Sequence, residues 1–144
     1  MSEPSSPLAP AVPFLRFDSD GGAFLQGSLC TECGAVAPGD RRVCGACGSR
    51  RAMSPMKLGE RGKLYSYTIV HRSFPGVKTP FIAVIVDLEG GGALKGTLLD
   101  VAPNPEAIAY DMPMRVIYRE SGQTDAEGRS FLSYYFVPEG ASPE

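Results

Sequence analysis

Four cysteines, arranged as two identical pairs, are the residues of this chain best suited to specific chemistry. Cys30 and Cys33 form one C-x-x-C pair, Cys44 and Cys47 form the other, and ten residues separate the pairs. Zinc is commonly held by a tetrahedron of thiolates, and each C-x-x-C turn offers two sulfurs to one ion. A glycine directly follows each pair and lets the backbone turn tightly around the metal. The spacing therefore predicts a structural zinc site.

The same thiols admit other interpretations. A disulfide framework is typical of secreted chains, but the N-terminal sequence MSEPSSPLAPAVP lacks the basic start and apolar core of a signal peptide. A thioredoxin-like redox pair needs one C-x-x-C that opens a helix, not two matched pairs around a loop. Iron in a rubredoxin-like site uses the same ligands, so the spacing leaves iron open. Because four thiolates fill the coordination shell, the site is predicted to be a scaffold for a small ribbon.

Other catalytic groups are scarce in the sequence. The chain has one histidine, His71, which follows a strand-like run and precedes Arg72. A lone histidine in that position is interpreted as a surface or packing residue. The sequence contains no G-x-S-x-G, H-E-x-x-H or phosphate-binding G-x-x-x-x-G-K motif. We therefore predict no catalytic residue, and no activity for this chain alone.

The elements that position the cysteines are predicted to be mostly strands. The runs FLRF and AFLQGSL flank DSDGG at residues 18–22 and predict a hairpin that leads into the first knuckle. Five further strand-like runs lie at 62–72, 80–88, 93–100, 114–120 and 130–138. Asn104 and Pro105 predict a short helical element between the third and fourth of these. This order fits a five-stranded OB-fold barrel, although an SH3-like barrel or a small sandwich gives similar patterns.

The predicted fold class is mainly β, with an N-terminal rubredoxin-like zinc ribbon followed by the OB-fold. We expect a disordered leader at 1–13, the hairpin and ribbon at 14–56, the OB-fold at 57–138 and a tail at 139–144. No apolar run approaches the roughly 20 residues that a membrane-spanning helix needs. With no signal peptide recognised, we expect a cytoplasmic protein.

Positive charge is concentrated in one part of an acidic chain. The formal net charge is -2, yet residues 41–78 hold nine of the fourteen Lys and Arg residues and one acid, Glu60. Such a segment favours an anionic partner, while a solvated face balanced by acids elsewhere is the alternative. Charge alone leaves both interpretations open.

Single-stranded nucleic acid is one anion that an OB-fold can bind. Tyr65 and Tyr67 alternate onto one face of the first barrel strand, with Lys63 and His71 in register, and such aromatic and basic rows bind bases and phosphates. Tyrosines at a period of two are also ordinary barrel residues. The chain is acidic overall, with a pI near 5.4. Nucleic-acid binding is therefore kept as the alternative function, and a nucleotide with several phosphates fits the same cations.

Taken together, the motifs resemble a known prokaryotic family. The segments GSLCTECG, CGACGS, GKLYSYTIVHRSFPG and TPFIAVIVDLEGG carry this resemblance, which covers roughly residues 14–138. The family pairs a rubredoxin-like zinc ribbon with a C-terminal OB-fold, was long described as a domain of unknown function, and accompanies thiolase-superfamily enzymes acting on acyl-CoA. The resemblance implies a non-catalytic accessory subunit of a thiolase, acyltransferase or aldolase. Such a subunit docks on the enzyme in a hetero-oligomer and helps to form or shield its acyl-CoA site.

The resemblance extends to individual residues. The four cysteines match the metal ligands. The residues that match the OB-fold signature are Tyr67, Thr68, Val70, His71, Pro80 and Phe81. It implies a surface that binds CoA or the partner, formed by Arg41, Arg42, His71, Arg72, Phe74 and Lys78. One departure is Gly39-Asp40-Arg41-Arg42, where relatives often have Pro-Pro-Arg before the second knuckle. A hairpin also stands where some relatives have a helical lead-in.

Overall fold

Strands provide nearly all the regular structure, in two groups that follow one another along the chain. The computed structural model describes residues 8–140. The first group contains β1 (Ala9–Pro10), β2 (Leu15–Phe17), β3 (Ala23–Cys30), β4 (Val36–Pro38) and β5 (Met53–Lys57). The second contains β6 (Arg61–Val70), β7 (Phe81–Leu88), β8 (Ala93–Leu98), β9 (Pro113–Thr124) and β10 (Ser130–Pro138). The prediction of a mainly β chain is confirmed.

The second group closes into a five-stranded barrel. Strand β6 pairs with β7 and β7 with β8, both antiparallel. Strand β8 meets β10 in parallel at the pair Leu98 and Phe136, β10 pairs with β9, and β9 returns to β6. A 3₁₀ turn at Pro105–Ala107 lies between β8 and β9, where the Asn104 side chain accepts the Ala107 N–H. This closed order confirms the predicted OB-fold and its short helical element.

The barrel interior is filled by alternate residues of its strands. In β7 the side chains of Ile82, Val84, Val86 and Leu88 are all buried, while the intervening ones are not. Strands β6, β8, β9 and β10 add buried side chains including Leu64, Leu94, Leu98, Met114, Val116 and Phe136. Each fully buried side chain of this size contributes about 1.5–3 kcal/mol of hydrophobic stabilisation. The sequence of β7 is apolar at nearly every position, and the pleat of the strand determines which alternate side chains enter the core.

The hairpin before the first knuckle is also confirmed. Strand β2 pairs antiparallel with β3. Between them the carboxylate of Asp18 accepts the N–H groups of Asp20 and Gly22, at 3.0 and 2.9 Å. An aspartate that binds the backbone two and four residues ahead fixes a tight turn. The turn directs β3 from the barrel side of the molecule to Cys30.

The ribbon is anchored to the barrel by apolar contacts. Strand β3 is the central strand of the ribbon and pairs antiparallel with both β4 and β5. Leu15, Leu25 and Leu58, which lie before β6, belong to the same buried cluster as the barrel residues. Val36 of β4 packs so closely on the β7–β8 turn that a Cβ on Gly91 would lie 3.0 Å from it. The two cysteine knuckles therefore project from a base that shares the barrel's core.

The ends of the chain differ in part from the expected leader and tail. Residues 1–7 and 141–144 lie outside the described residues. Ala9 and Pro10, within the expected leader, pair in parallel with β10, and Ala9 is buried. The edge of β10 supplies backbone partners there, since the Ala11 N–H donates to the Leu132 carbonyl at 2.8 Å. The boundaries of the ribbon and OB-fold at 14–56 and 57–138 stay a prediction.

Within residues 8–140, the structure contains no helix with the length and apolar character required to cross a membrane.

Candidate metal centre and adjoining surface

The two knuckles bring all four thiols together. The sulfur atoms of Cys30, Cys33, Cys44 and Cys47 lie within 4.8 Å of one another. Cys30 ends β3, and its carbonyl accepts the Gly34 N–H at 2.7 Å, which closes the first knuckle. The Gly48 N–H donates to the Cys44 carbonyl at 2.9 Å and closes the second knuckle in the same way.

The sulfur spacing fits a four-coordinate metal ion. A tetrahedron with metal–sulfur bonds of about 2.3 Å has sulfurs about 3.8 Å apart. The Sγ atoms of Cys30 and Cys47 are 3.7 Å apart, and those of Cys33 and Cys44 are 3.6 Å apart. Cys30 and Cys44 are buried, whereas Cys33 and Cys47 are exposed, so the site lies at the surface. These thiols can hold a metal ion, and the geometry does not distinguish zinc from iron.

Backbone amides favour the ionised form of one thiol. The N–H groups of Cys47 and Ala46 point at Cys44 Sγ, at 3.4 and 3.3 Å, and lower the pKa of the Cys44 thiol to about 6. At Cys47 the Ser49 N–H also lowers the pKa, but the neighbouring Cys30 thiol and desolvation outweigh it and raise the pKa to about 12. Crowded thiolates repel one another, so full ionisation of the cluster requires a cation between them.

The two arginines before the second knuckle are exposed, and they differ in how they are held. The Arg41 N–H donates to Ser28 Oγ at 3.0 Å, and its Nε donates to the Pro38 carbonyl at 3.2 Å. Ser28 is itself buried and donates to the Gly39 carbonyl at 2.7 Å. Arg42 has no ion pair with any of the residues that the structure describes. Arg41 is therefore oriented by the ribbon, whereas Arg42 extends from it.

The other predicted contact residues lie on the loop between β6 and β7. His71, Arg72, Phe74 and Lys78 are all exposed, and Phe74 keeps 81% of its surface accessible. The loop forms a turn in which the Val77 N–H donates to the Phe74 carbonyl at 3.1 Å. The Phe74 ring therefore projects from this loop into solvent.

Two cavities adjoin on the outer face of the barrel. One, of about 680 Å³, is lined by Lys78 together with residues of β7, β8 and β10. The other, of about 850 Å³, is lined by Arg41 and also reaches β7, β8 and β10. Both cavities include Phe81, Thr97 and Tyr135, which form a common floor. The structure thus connects Arg41 with Lys78 along one surface, while Arg42, His71, Arg72 and Phe74 line neither cavity.

The expected row of tyrosines on β6 is wrong. The register shifts between Leu64 and Ser66, so Tyr65 occupies a β-bulge and has no paired residue on β7. Tyr65 remains 63% exposed, whereas Tyr67 pairs with Val84 and packs against the barrel core. A bulge inserts one residue and reverses the side on which the following side chains lie. The two rings therefore do not form a shared stacking face.

Sequence reasoning missed the aromatic side of β10. Phe131 and Tyr135 line the outer cavities, while Leu132, Tyr134 and Phe136 pack on or within the core. The run SFLSYYFVP is apolar at both alternating sets of positions, and that pattern was the available signal. A strand apolar on both faces is expected to have both faces covered.

Comparisons with known proteins agree with this architecture. The family model for the C-terminal OB-fold domain of ChsH2 matches residues 56–119. A DUF35 domain-containing scaffold protein of Methanocaldococcus jannaschii is 28% identical over 117 residues, which is 79% of this chain and 81% of the relative. In a solved structure titled Ltp2-ChsH2(DUF35) aldolase, one chain superposes with a TM-score of 0.60 and 26% identity, over 81% of this chain and 85% of that one.

The chain is similar to DUF35 proteins, in sequence over 79% of its length and in fold over 81%.

A further relative is an enzyme subunit. The benzoylsuccinyl-CoA thiolase subunit BbsA of Geobacter metallireducens is 33% identical over 75 residues, covering 51% of this chain and 50% of BbsA. The predicted resemblance to a family with a ribbon and an OB-fold is thus confirmed. The ChsH2 match begins at residue 56, just before β6, and ends within β9.

Proposed function

We propose that this protein is a non-catalytic accessory subunit of a thiolase-superfamily acyl-CoA enzyme, on which it docks and whose acyl-CoA site it helps to form or shield. The observation that carries the proposal is the similarity to a chain of the Ltp2-ChsH2(DUF35) aldolase, because it extends over 81% of this chain and therefore includes parts of both ribbon and barrel. The thiolase subunit BbsA supports the same class of partner.

In this proposal the four-thiolate centre has a structural role and holds zinc. A closed shell of four sulfurs leaves no coordination position for substrate, which suits a scaffold and not a catalyst. The resident ion orients the loop that carries Arg41 and Arg42 by fixing both knuckles. Metal analysis of the protein purified without added metal should give one zinc per chain, and one iron per chain would identify a rubredoxin-like centre instead.

The cations near the ribbon supply the proposed contact with CoA. CoA carries three phosphate groups, and arginine binds phosphate through two parallel hydrogen bonds. Arg41 and Arg42 lie on the loop before the second knuckle, and Arg41 is already oriented toward a cavity on the barrel. His71, Arg72, Phe74 and Lys78 lie on the β6–β7 loop and provide a second contact region, for CoA or for the enzyme itself.

The partner is tested by affinity purification of the tagged full chain from its native host, followed by mass spectrometry. We expect a thiolase-superfamily enzyme in a fixed ratio with this chain, and acyl-CoA turnover by the complex but not by this chain alone. Recovery of the chain without such an enzyme would contradict the proposal. Recovery with single-stranded RNA or DNA, with affinity falling steeply as salt is raised, would favour the nucleic-acid alternative.

The contact with CoA is tested by charge removal on the purified complex. The double variant Arg41→Ala/Arg42→Ala should weaken CoA binding by roughly tenfold or more, since each lost charge-assisted hydrogen bond contributes about 1.5–3 kcal/mol. The matched control Arg50→Ala/Arg51→Ala removes equal charge from the same ribbon on the other side of the second knuckle. Equal CoA affinity in wild type and both variants would remove Arg41 and Arg42 from the site.

A further inference from the structure

One edge of β8 lacks a strand partner over most of its length. Residues 93–98 pair with β7 on one side. On the other side, β8 meets β10 at the single pair Leu98 and Phe136. Within the part of the chain that the structure describes, the edge from Ala93 to Thr97 therefore forms no further strand pairing, although β4 lies near its start. An open edge with free N–H and C=O groups is a template for a further strand.

The register shows which backbone groups face this open edge. The Leu88 N–H donates to the Gly92 carbonyl, so Gly92 and alternate residues after it face β7. Ala93, Lys95 and Thr97 then direct their backbone groups away from β7. Two contacts agree with this assignment: the Tyr134 hydroxyl donates to the Lys95 carbonyl, and the Leu99 N–H donates to the Phe136 carbonyl at 2.8 Å. The Lys95 N–H points into the gap between β8 and β10.

The gap is the cavity of about 850 Å³ described above. Residues 93–97 form one wall, residues 133–135 of β10 form the other, and Val12 and Phe14 contribute apolar side chains. Arg41 and Lys95 are the cations among the lining residues, and no lining residue is acidic. The surroundings of the open edge are thus apolar and positively charged, which fits a ligand that is apolar and negatively charged.

We propose that the open edge of β8 accepts an extended segment of the partner enzyme, with alternating apolar and acidic residues, as an added strand. Such a segment pairs with the outward backbone groups of Ala93 and with the Lys95 N–H, since the Lys95 carbonyl already accepts the Tyr134 hydroxyl. It places apolar side chains against Phe14 and its neighbours, and a carboxylate beside the Lys95 ammonium group. An acyl-CoA fits the charge and the apolar walls but does not supply the regular backbone donors and acceptors of a strand. The inference rests on the proposed function only for the source of the segment.

The test is a selection from a displayed peptide library for binding to the full wild-type chain. The peptides have about ten residues, the length of a long strand. We expect the selected sequences to alternate apolar and acidic residues, and a synthetic peptide of that sequence to slow hydrogen exchange at the Lys95 amide. Lys95→Pro removes this N–H and leaves the hydrogen bonds between β7 and β8 in place. It should weaken binding of the peptide by up to about tenfold relative to Lys95→Ala, which removes only the charge.

The following outcomes would overturn the inference that β8 accepts an added strand. Failure to select such peptides, or equal binding by Lys95→Pro and Lys95→Ala with no slowing of the Lys95 amide, shows that β8 does not accept a strand. Slowing of that amide by acetyl-CoA and not by peptide assigns the gap to a small ligand. Because exchange is measured on the wild-type chain, a variant that fails to fold does not prevent a decision. The selection requires no enzyme, so failure to recover a thiolase-superfamily partner contradicts the proposed function separately.

Discussion

The knuckle end of the ribbon and the barrel are stabilised by different means. The barrel shares with β2 and β3 a cluster of fourteen buried residues. The knuckle end has a separate cluster of three, Cys30, Cys44 and Ala52, with Ala35 and Met53 packed beside it. So small a cluster cannot offset the conformational entropy lost by ordering two loops. The barrel can fold on apolar burial, whereas we expect the knuckles to depend on the metal ion proposed for the four thiols.

Removal of one thiol is expected to have the largest effect on stability. It should unfold the knuckles and leave the barrel folded. Cys44→Ser should release the metal and unfold the knuckles, because binding of a structural ion supplies on the order of 10 kcal/mol to folding of such a loop. Hydrogen exchange should become fast across residues 31–52 and stay slow in β7 and β9. The control Ala46→Ser changes the same knuckle but keeps all four sulfurs. Stoichiometric metal in Cys44→Ser would show that the four-thiolate assignment is wrong.

Creating a cavity in the barrel core is expected to destabilise the barrel while the knuckles keep their metal. Phe136 is 1% exposed and meets Tyr134 edge to face, with ring centroids 6.1 Å apart. Phe136→Ala should lower the free energy of unfolding by about 3–5 kcal/mol, the usual effect of deleting a buried aromatic ring. Tyr135→Ala is the control, because Tyr135 lies on the outer face of the same strand.

The measurement for Phe136→Ala is urea unfolding followed by near-ultraviolet circular dichroism, together with metal analysis below the transition. We expect one metal per chain in the folded variant, since the knuckles have their own cluster and ion. Loss of metal in parallel with loss of barrel structure, at every urea concentration, would instead show that ribbon and barrel unfold as one cooperative unit.

The same difference explains how far the sequence could predict the structure. The cysteines that make the metal centre lie within eighteen residues, so local spacing was enough to identify all four. The barrel strands were found because their runs are rich in apolar, β-branched and aromatic residues, as in PFIAVIVDL at 80–88. Both signals are local, and the structure confirms the elements that depend on them.

Features set by long-range pairing were not predictable in this way. Nothing in the run KLYSY marks Tyr65 as a bulge, because a bulge is defined by the register against β7. The sequence did not reveal that Ala9 would pair with β10, over a hundred residues away. The gap between β8 and β10 depends on where two distant strands diverge. The cavities that join Arg41 to Lys78 therefore became visible only in the folded chain.

The smallest expected effect concerns the β9–β10 turn, which is held by polar contacts and not by a metal or a core. Asp125 accepts the N–H groups of Glu127 and Arg129, at 3.0 and 2.8 Å, and pairs with Arg129 Nε at 2.7 Å. Partial desolvation raises the pKa of Asp125, but the N–H and guanidinium of Arg129 lower it further, so it lies below its usual value.

A carboxylate whose pKa is lowered by folding stabilises the protein above its unfolded pKa, about 3.9 for aspartate, and loses that effect as pH falls through the folded pKa. Asp125→Asn should therefore melt slightly below wild type at pH 7, and the difference should shrink toward pH 3. Thermal unfolding of both proteins across this range measures it, with Glu127→Gln as the control because Glu127 is more exposed. A difference that persists or grows in acid would assign the turn's stability to shape and not to the Asp125 charge. Since the turn lies far from the knuckles in sequence, metal content should be the same in all three proteins at pH 7.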